Sequence, residues 1–186
     1  SDNYNNTIPT GTNAGTYYVW YMVDGDLNHS DTTPLCVEVT IAKKELTVSA
    51  VTANDKTYDG TTTATGTITL SGAVSGEQPT ATGTFAFAGA NAGNDKTVSV
   101  TNIALEDNWG TNYALDTATA TATAAISPLT ATLVWSGYEN LTYTGNPVNV
   151  TATVGNLMGN DQCTVTVTGG TETNVGGPYT ATATSL

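Results

Sequence analysis

The stretch Cys163-Thr164-Val165-Thr166-Val167-Thr168 decides the fold class. Side chains of an extended strand alternate between two faces, so Cys163, Val165 and Val167 fall on one side and three threonines on the other. That is the pattern of an antiparallel strand with one face covered and one face in water. Thr117 to Ala124 alternates threonine and alanine in the same way. Further out along the chain, apolar residues never recur at helical spacing for three turns. Strand-like runs of about six to ten residues are instead bounded by Gly, Asn, Asp and Pro. Thr16 to Val23 is apolar or aromatic on both faces, which predicts a strand in the middle of a packed sheet or against a neighbouring domain, with Trp20 in the core.

The composition agrees with a β-rich chain. Forty threonines and 19 glycines in 186 residues suit pleated, half-exposed strands joined by tight turns. An apolar fraction of 39% is enough to expect a real core. Only four residues are basic, all lysine, against 16 acidic ones, and the net charge is −12. A chain with no arginine and so few lysines lacks the basic footprint that nucleic acid or an anionic membrane surface requires. No apolar run approaches the roughly 18 residues of a spanning helix, so no membrane insertion is expected in this segment. With His29 as the sole histidine and Cys36 and Cys163 as the only cysteines, histidine-based triads and Cys/His zinc sites have too few parts. Cys36 lies on the face opposite Leu35, Val37, Val39 and Ile41, whereas Cys163 shares a face with Val165, so both are expected as unpaired thiols.

Internal repeats set the domain plan. Asn13-Ala14-Gly15, Asn91-Ala92-Gly93 and Asn174-Val175-Gly176 recur at intervals of 78 and 83 residues. Thr57-Tyr58-Asp59-Gly60 is echoed by Thr142-Tyr143-Thr144-Gly145, and Val39-Thr40-Ile41-Ala42-Lys43 by Ala124-Ala125-Ile126-Ser127-Pro128. Together these markers phase the chain into residues 1–43, carrying the later half of a unit, 44–127, a whole unit, and 128–186, the earlier part of another. The expected fold is all-β: small antiparallel β-sandwiches of the Ig-like kind in an elongated tandem array. A β-grasp-like repeat with one short helix stays open as the alternative.

Lys56-Thr57-Tyr58-Asp59-Gly60-Thr61-Thr62, with Asn91-Ala92-Gly93 and Asn112-Tyr113-Ala114-Leu115 behind it, resembles the YDG repeat of large bacterial surface proteins. The flanking segments resemble the related glycine-rich, mostly-β repeats called MBG domains. Gly15 to Val19, Gly25 to His29 and Val37 to Ile41 are similar to the later half of such a repeat, and Leu141 to Gly145 to the earlier half. The resemblance implies a non-catalytic repeat of an adhesin-like protein, outside the cell, on its surface or secreted. It implies no ligand.

Several residues invite a chemical reading. Asp24, Asp26, Asn28 and Asp31 follow the alternate-oxygen spacing that opens a calcium loop, making calcium the one cofactor considered. His29 stands where such a loop needs glycine and Leu35 where it needs a bidentate acid, and a polar connection between strands accounts for the run equally well. Glu106-Asp107-Asn108 is a second acidic loop. Trp109, Trp135 and Tyr138 lie in or near loops, where rings could stack on sugars or pack a domain junction. Lys44 and Lys96 share strand parity with apolar neighbours, as an isopeptide cross-link would require, but the strand from Thr117 to Ile126 holds no asparagine acceptor. Asp24, Asp59, Glu77, Asp107 and Glu139 would form a glycosidase pair only if the fold set two of them face to face.

The expected function is therefore a structural spacer that contacts neighbouring repeats, with a glycan- or host-protein-binding module as the alternative, acting through loop aromatics or an exposed strand edge. The phase of the repeats adds one further expectation. The strand Leu35 to Ala42 is of the type that 128–186 lacks, so strand complementation between copies is a candidate partner interaction.

Overall fold

Alternation becomes strand over most of its length, as the strands Ala120–Ser127 and Val165–Thr168 do within the two alternating runs. The computed structural model describes residue 7, residues 9–139 and residues 141–185, and among them every regular element is a β-strand except one 3-10 turn, Trp109–Thr111. The protein is all-β. The one short α-helix of the β-grasp alternative is not found among the described residues, and a single helical turn after Asp107 stands where a helical element occurs at all.

At the N-terminal end, β1 (Gly15–Tyr21) and β2 (Leu35–Ile41) pair antiparallel, with Gly15 opposite Ile41 and Tyr21 opposite Leu35. Strands β3 (Lys44–Ala53), β4 (Lys56–Thr57), β5 (Gly66–Ser71), β6 (Ala81–Phe87), β7 (Gly93–Leu105), β8 (Tyr113–Leu115) and β9 (Ala120–Ser127) follow. They form a three-stranded sheet in the order β5-β3-β8 and a four-stranded sheet in the order β4-β9-β7-β6. The C-terminal stretch contributes β10 (Leu133–Ser136), β11 (Val148–Asn149), β12 (Thr151–Val154), β13 (Val165–Thr168), β14 (Thr171–Glu172) and β15 (Thr182–Ser185). These pair antiparallel as β10 with β12, β11 with β14 and β13 with β15.

Buried apolar side chains concentrate between Leu46 and Ile126: Leu46 on β3, Phe87 on β6, Val98, Val100 and Ile103 on β7, Tyr113 on β8, and Ala124 and Ile126 on β9. Both sheets of this region therefore supply core. Strict alternation alone would not bury Val100 and Ile103 together. The ladder between β6 and β7 slips between Thr82 and Thr84, and Asn102 takes a positive φ of 54°, so one extra residue on β7 moves the inward parity from Val100 to Ile103. A second slip, between Val48 and Ala50, does the same for β3 and turns Val51 and Ala53 toward the half-buried side. At Gly66 the backbone of β5 passes so close to the Thr52 carbonyl and the Phe85 ring that a Cβ would collide with both.

Four expectations need correction. The stretch from Thr16 is a strand, but β1 has only β2 beside it, and Trp20 is 59% exposed. A two-stranded ribbon covers neither of its faces, which leaves Tyr17, Tyr18, Tyr21, Leu35, Val37 and Val39 exposed as well. Pairing is also not purely antiparallel, because β3 runs parallel to β8 and β4 parallel to β9. Threonine and alanine alternation is blind to strand direction. Finally, Thr117 to Thr119 lie before β9 rather than in it, since the Thr117 hydroxyl is spent on the backbone of Thr119.

The chain divides into two compact units. The first holds the residues up to Asn54, Thr63–Ala88 and Asp95–Ala124. The second holds Asp55–Thr62, Gly89–Asn94 and the residues from Ala125 on. No described helix is long and apolar enough to cross a membrane.

Candidate functional site: the Tyr58-Asp59-Gly60 turn

Strand β4 is two residues long because the chain must turn at once, and the turn is built from its own side chains. The Asp59 carboxylate accepts the Thr61 backbone N–H at 2.9 Å and the Thr61 hydroxyl at 2.8 Å. Gly60, at φ +76°, provides the left-handed residue this Asx-type turn needs. Lys56 folds over the turn and donates to Asp59 at 2.7 Å and to the Thr61 carbonyl at 2.9 Å, and its side chain is only 17% exposed. The Lys56 ammonium, followed by the two Thr61 donors, pulls the Asp59 carboxyl down to about 2. The turn is anchored to β9 by the Tyr58 N–H, which donates to the Ser127 carbonyl at 2.8 Å, and by the Asp55 carboxylate, which accepts the Ala125 N–H at 2.6 Å.

The Tyr58 hydroxyl plays no part in closing the turn. It donates to the Asp161 carboxylate at 2.9 Å, and that bond is the main cause that raises the tyrosine's pKa. Asp161 is presented by a turn in which its own N–H donates to the Met158 carbonyl at 2.9 Å. Asn156 pins the same loop by accepting the Thr132 N–H and donating to the Thr130 carbonyl. Between these loops runs a shallow cleft of about 380 Å³ whose walls include Tyr58, Asn91, Leu129, Leu157 and Met158. Sequence reasoning gives no site role to Lys56, Asp161 or Met158. The Lys-x-x-Asp spacing is a signal that points to Lys56, whereas a contact between residues 58 and 161 leaves no local signal.

The residues singled out from sequence are distributed as follows. Asp26 accepts the Asn28 N–H at 2.9 Å and lies 2.6 Å from His29 Nδ1, contacts that lower its pKa with the Asn28 N–H foremost. Asp31 accepts the Gly25 N–H at 2.8 Å. These carboxylates are thus turned onto the loop's own backbone, while Asp24 and Asn28 are exposed. Among the described residues no group of three or more His, Cys, Asp or Glu side chains is placed to hold a metal ion. Trp109 opens the 3-10 turn and packs its ring, tilted by 58°, at 6.1 Å from that of Tyr113. Trp135 is half-buried on β10 opposite Ala152. Tyr138 is exposed and lines a cleft of about 260 Å³ with Leu141, Val148 and Tyr179. Trp109 belongs to the first compact unit, and Trp135 and Tyr138 to the second.

Among the carboxylates, Asp59 is held by Lys56, and Glu77 accepts the hydroxyl of buried Tyr113, which also accepts the Val74 N–H. Asp107 sits in the turn before Trp109 with φ of 50°, and Glu139 is exposed. Lys44 is exposed and Lys96 half-buried. Cys36 and Cys163 are both free thiols.

No curated protein and no solved structure matches the chain. One protein family does, over the stretch that contains the turn, both sheets of the central region and most of β9. Residues 42–124 of this chain match the family model of the YDG domain.

Proposed function

We propose that the chain is a non-catalytic structural segment, a spacer built of tandem β-sandwich repeats in a bacterial adhesin-like protein displayed outside the cell. The observation that carries this reading is a corner found on both sides of the YDG domain. Following Asn13-Ala14-Gly15, the Tyr17 hydroxyl donates back to the Asn13 carbonyl at 2.7 Å. Following Asn174-Val175-Gly176, the Tyr179 hydroxyl donates back to the Asn174 carbonyl at 3.2 Å. Similar corners, closed across four residues in the first and five in the second, support flanking units of one kind, the MBG kind, on either side of a different one. Such arrays are stabilised within repeats and between neighbours, and they need no cofactor. Single-molecule extension of the chain tests the reading. Discrete unfolding steps at forces typical of β-domains support it, and a chain that extends without steps refutes it.

A glycan-binding module is the second reading, favoured by Tyr138, Tyr143 and Tyr179, which line adjoining apolar clefts beside Glu172. Binding on a glycan array that disappears in Tyr138→Ala would establish it.

The partner implied by the first reading, besides neighbouring repeats, is a second copy of this chain. Val39 and Ile41 of β2 stand at the repeat positions of Ala124 and Ile126 on β9, which are buried in the central region. Val39 is 44% exposed. A strand of the β2 type laid along the open C-terminal stretch would bury the equivalent positions, by strand addition.

A further inference from the structure

We infer that the Tyr58-Asp59-Gly60 turn is a docking seat for the loop Asn156–Asp161, so that the signature turn of the YDG domain joins it to the segment that follows. The inference rests on the repeat reading and deepens it. Its first support is a division of labour within the turn. Lys56, Asp59 and Thr61 close the turn among themselves, which leaves the Tyr58 hydroxyl to serve a residue 103 positions away. Gly60 is required twice over. Its φ of +76° suits glycine, and a Cβ there would lie 3.2 Å from the Met158 Cβ, tighter than ordinary van der Waals contact. A side chain at position 60 would therefore push the loop off.

The make-up of the second compact unit is in keeping with the seat, with the pairing of β4 to Ile126 and Ser127 of β9 contributing to the same grouping. Asp55–Thr62 and Gly89–Asn94 lie within the YDG domain in sequence, yet they group with the residues from Ala125 on. The third support is the echo of the turn. Thr142-Tyr143-Thr144-Gly145 repeats the left-handed glycine, with φ of +75° at Gly145. There Tyr143 is exposed, and apart from its chain neighbours no described residue lies within 4 Å of where a Gly145 Cβ would be. The tyrosine of this turn thus faces outward whether or not it is engaged, as a docking residue does and a core residue does not. The partner that fits the seat is a short turn presenting a carboxylate to the hydroxyl and an unbranched apolar side chain to the glycine.

Hydrogen exchange read by mass spectrometry on the full chain tests the seat, with Tyr58→Phe, Asp161→Ala and the double variant compared with the parent. Each single substitution should speed exchange of the peptides covering 151–161 by about three- to tenfold, the range expected for losing one ordinary, solvent-exposed hydrogen bond. The double variant should be no faster than either single, because both remove the same bond. Peptides from β3 and β7 should keep the parent's rates. Unchanged exchange over 151–161, or additive effects in the double variant, overturns the seat, and the spacer reading then stands with loosely strung repeats. A failure of that reading would register instead as stepless extension under force.

Discussion

Ile126→Ala is the perturbation that best separates a packed β9 from a loosely assembled one. Ile126 is 1% exposed on β9, in parallel register with Lys56, and the substitution removes most of a fully buried side chain. Deleting such a group costs its transfer free energy plus the cavity left behind, about 2–5 kcal/mol. Taking about 3 kcal/mol, and about 4–8 °C per kcal/mol for a domain of this size, the melting temperature should fall by about 12–24 °C. Ile41→Ala at the equivalent repeat position on β2 is the control. That side chain is only half-buried on an open ribbon, and its loss should cost well under about 1 kcal/mol in dilute solution. Thermal denaturation followed by circular dichroism in the far ultraviolet reports on the strands of both compact units, so it registers the loss of β9 directly. If Ile126→Ala melts within about 3 °C of the parent, or if the two substitutions cost the same, the core assigned to β9 is wrong.

Acid should loosen the turn in a defined window. Asp59 has its carboxyl lowered from 3.8 to about 2, so its contribution is fully present above about pH 4 to 5 and is lost as pH falls toward 2, and Asp59→Asn should flatten the fall in melting temperature over that range. An equal slope in parent and variant would discount the Lys56 contact. Light scattering should reveal oligomers that grow with concentration and vanish in Val37→Lys/Val39→Lys, and a concentration-independent monomer would end the strand-complementation reading. Millimolar calcium should leave the melting temperature unchanged, because Asp26 and Asp31 are already turned onto backbone N–H groups. A rise of several degrees that disappears in Asp26→Ala would restore the Asp24 to Asp31 loop as a cation site.

Strand identity is legible in the sequence because period-two patterning is a local property. Val165 and Val167 alternate with threonines, and β13 forms there. Where the period breaks, local reading weakens but does not vanish. Val98 and Val100, then polar Asn102, then Ile103 and Leu105 spell a change of parity, and the bulge sits at the polar residue. Strand direction is not legible, since β4 and β9 carry no mark of running parallel. Trp20 departs from its expected place in the core for a related reason. An aromatic-rich strand announces that it will be covered, but it does not say by which layer, and β1 and β2 are covered on neither face among the described residues.

The turn displays the same limit more sharply. Its signature, Tyr-Asp-Gly, holds two residues whose reasons are local and one whose reason is distant. Asp59 and Gly60 can be assigned to a turn from sequence, since a carboxylate capping the N–H two residues on and a glycine at positive φ are intrinsic to turns. Tyr58 cannot, because a turn has no use for a phenol, and only its contact with Asp161 gives the hydroxyl a role. A residue that local structure does not need, recurring two positions before a left-handed glycine that it does, is where contact with the next unit should be sought. By the same reasoning Tyr143, exposed beside Gly145 in a turn with the same left-handed glycine, marks the next surface of this chain to examine for a partner.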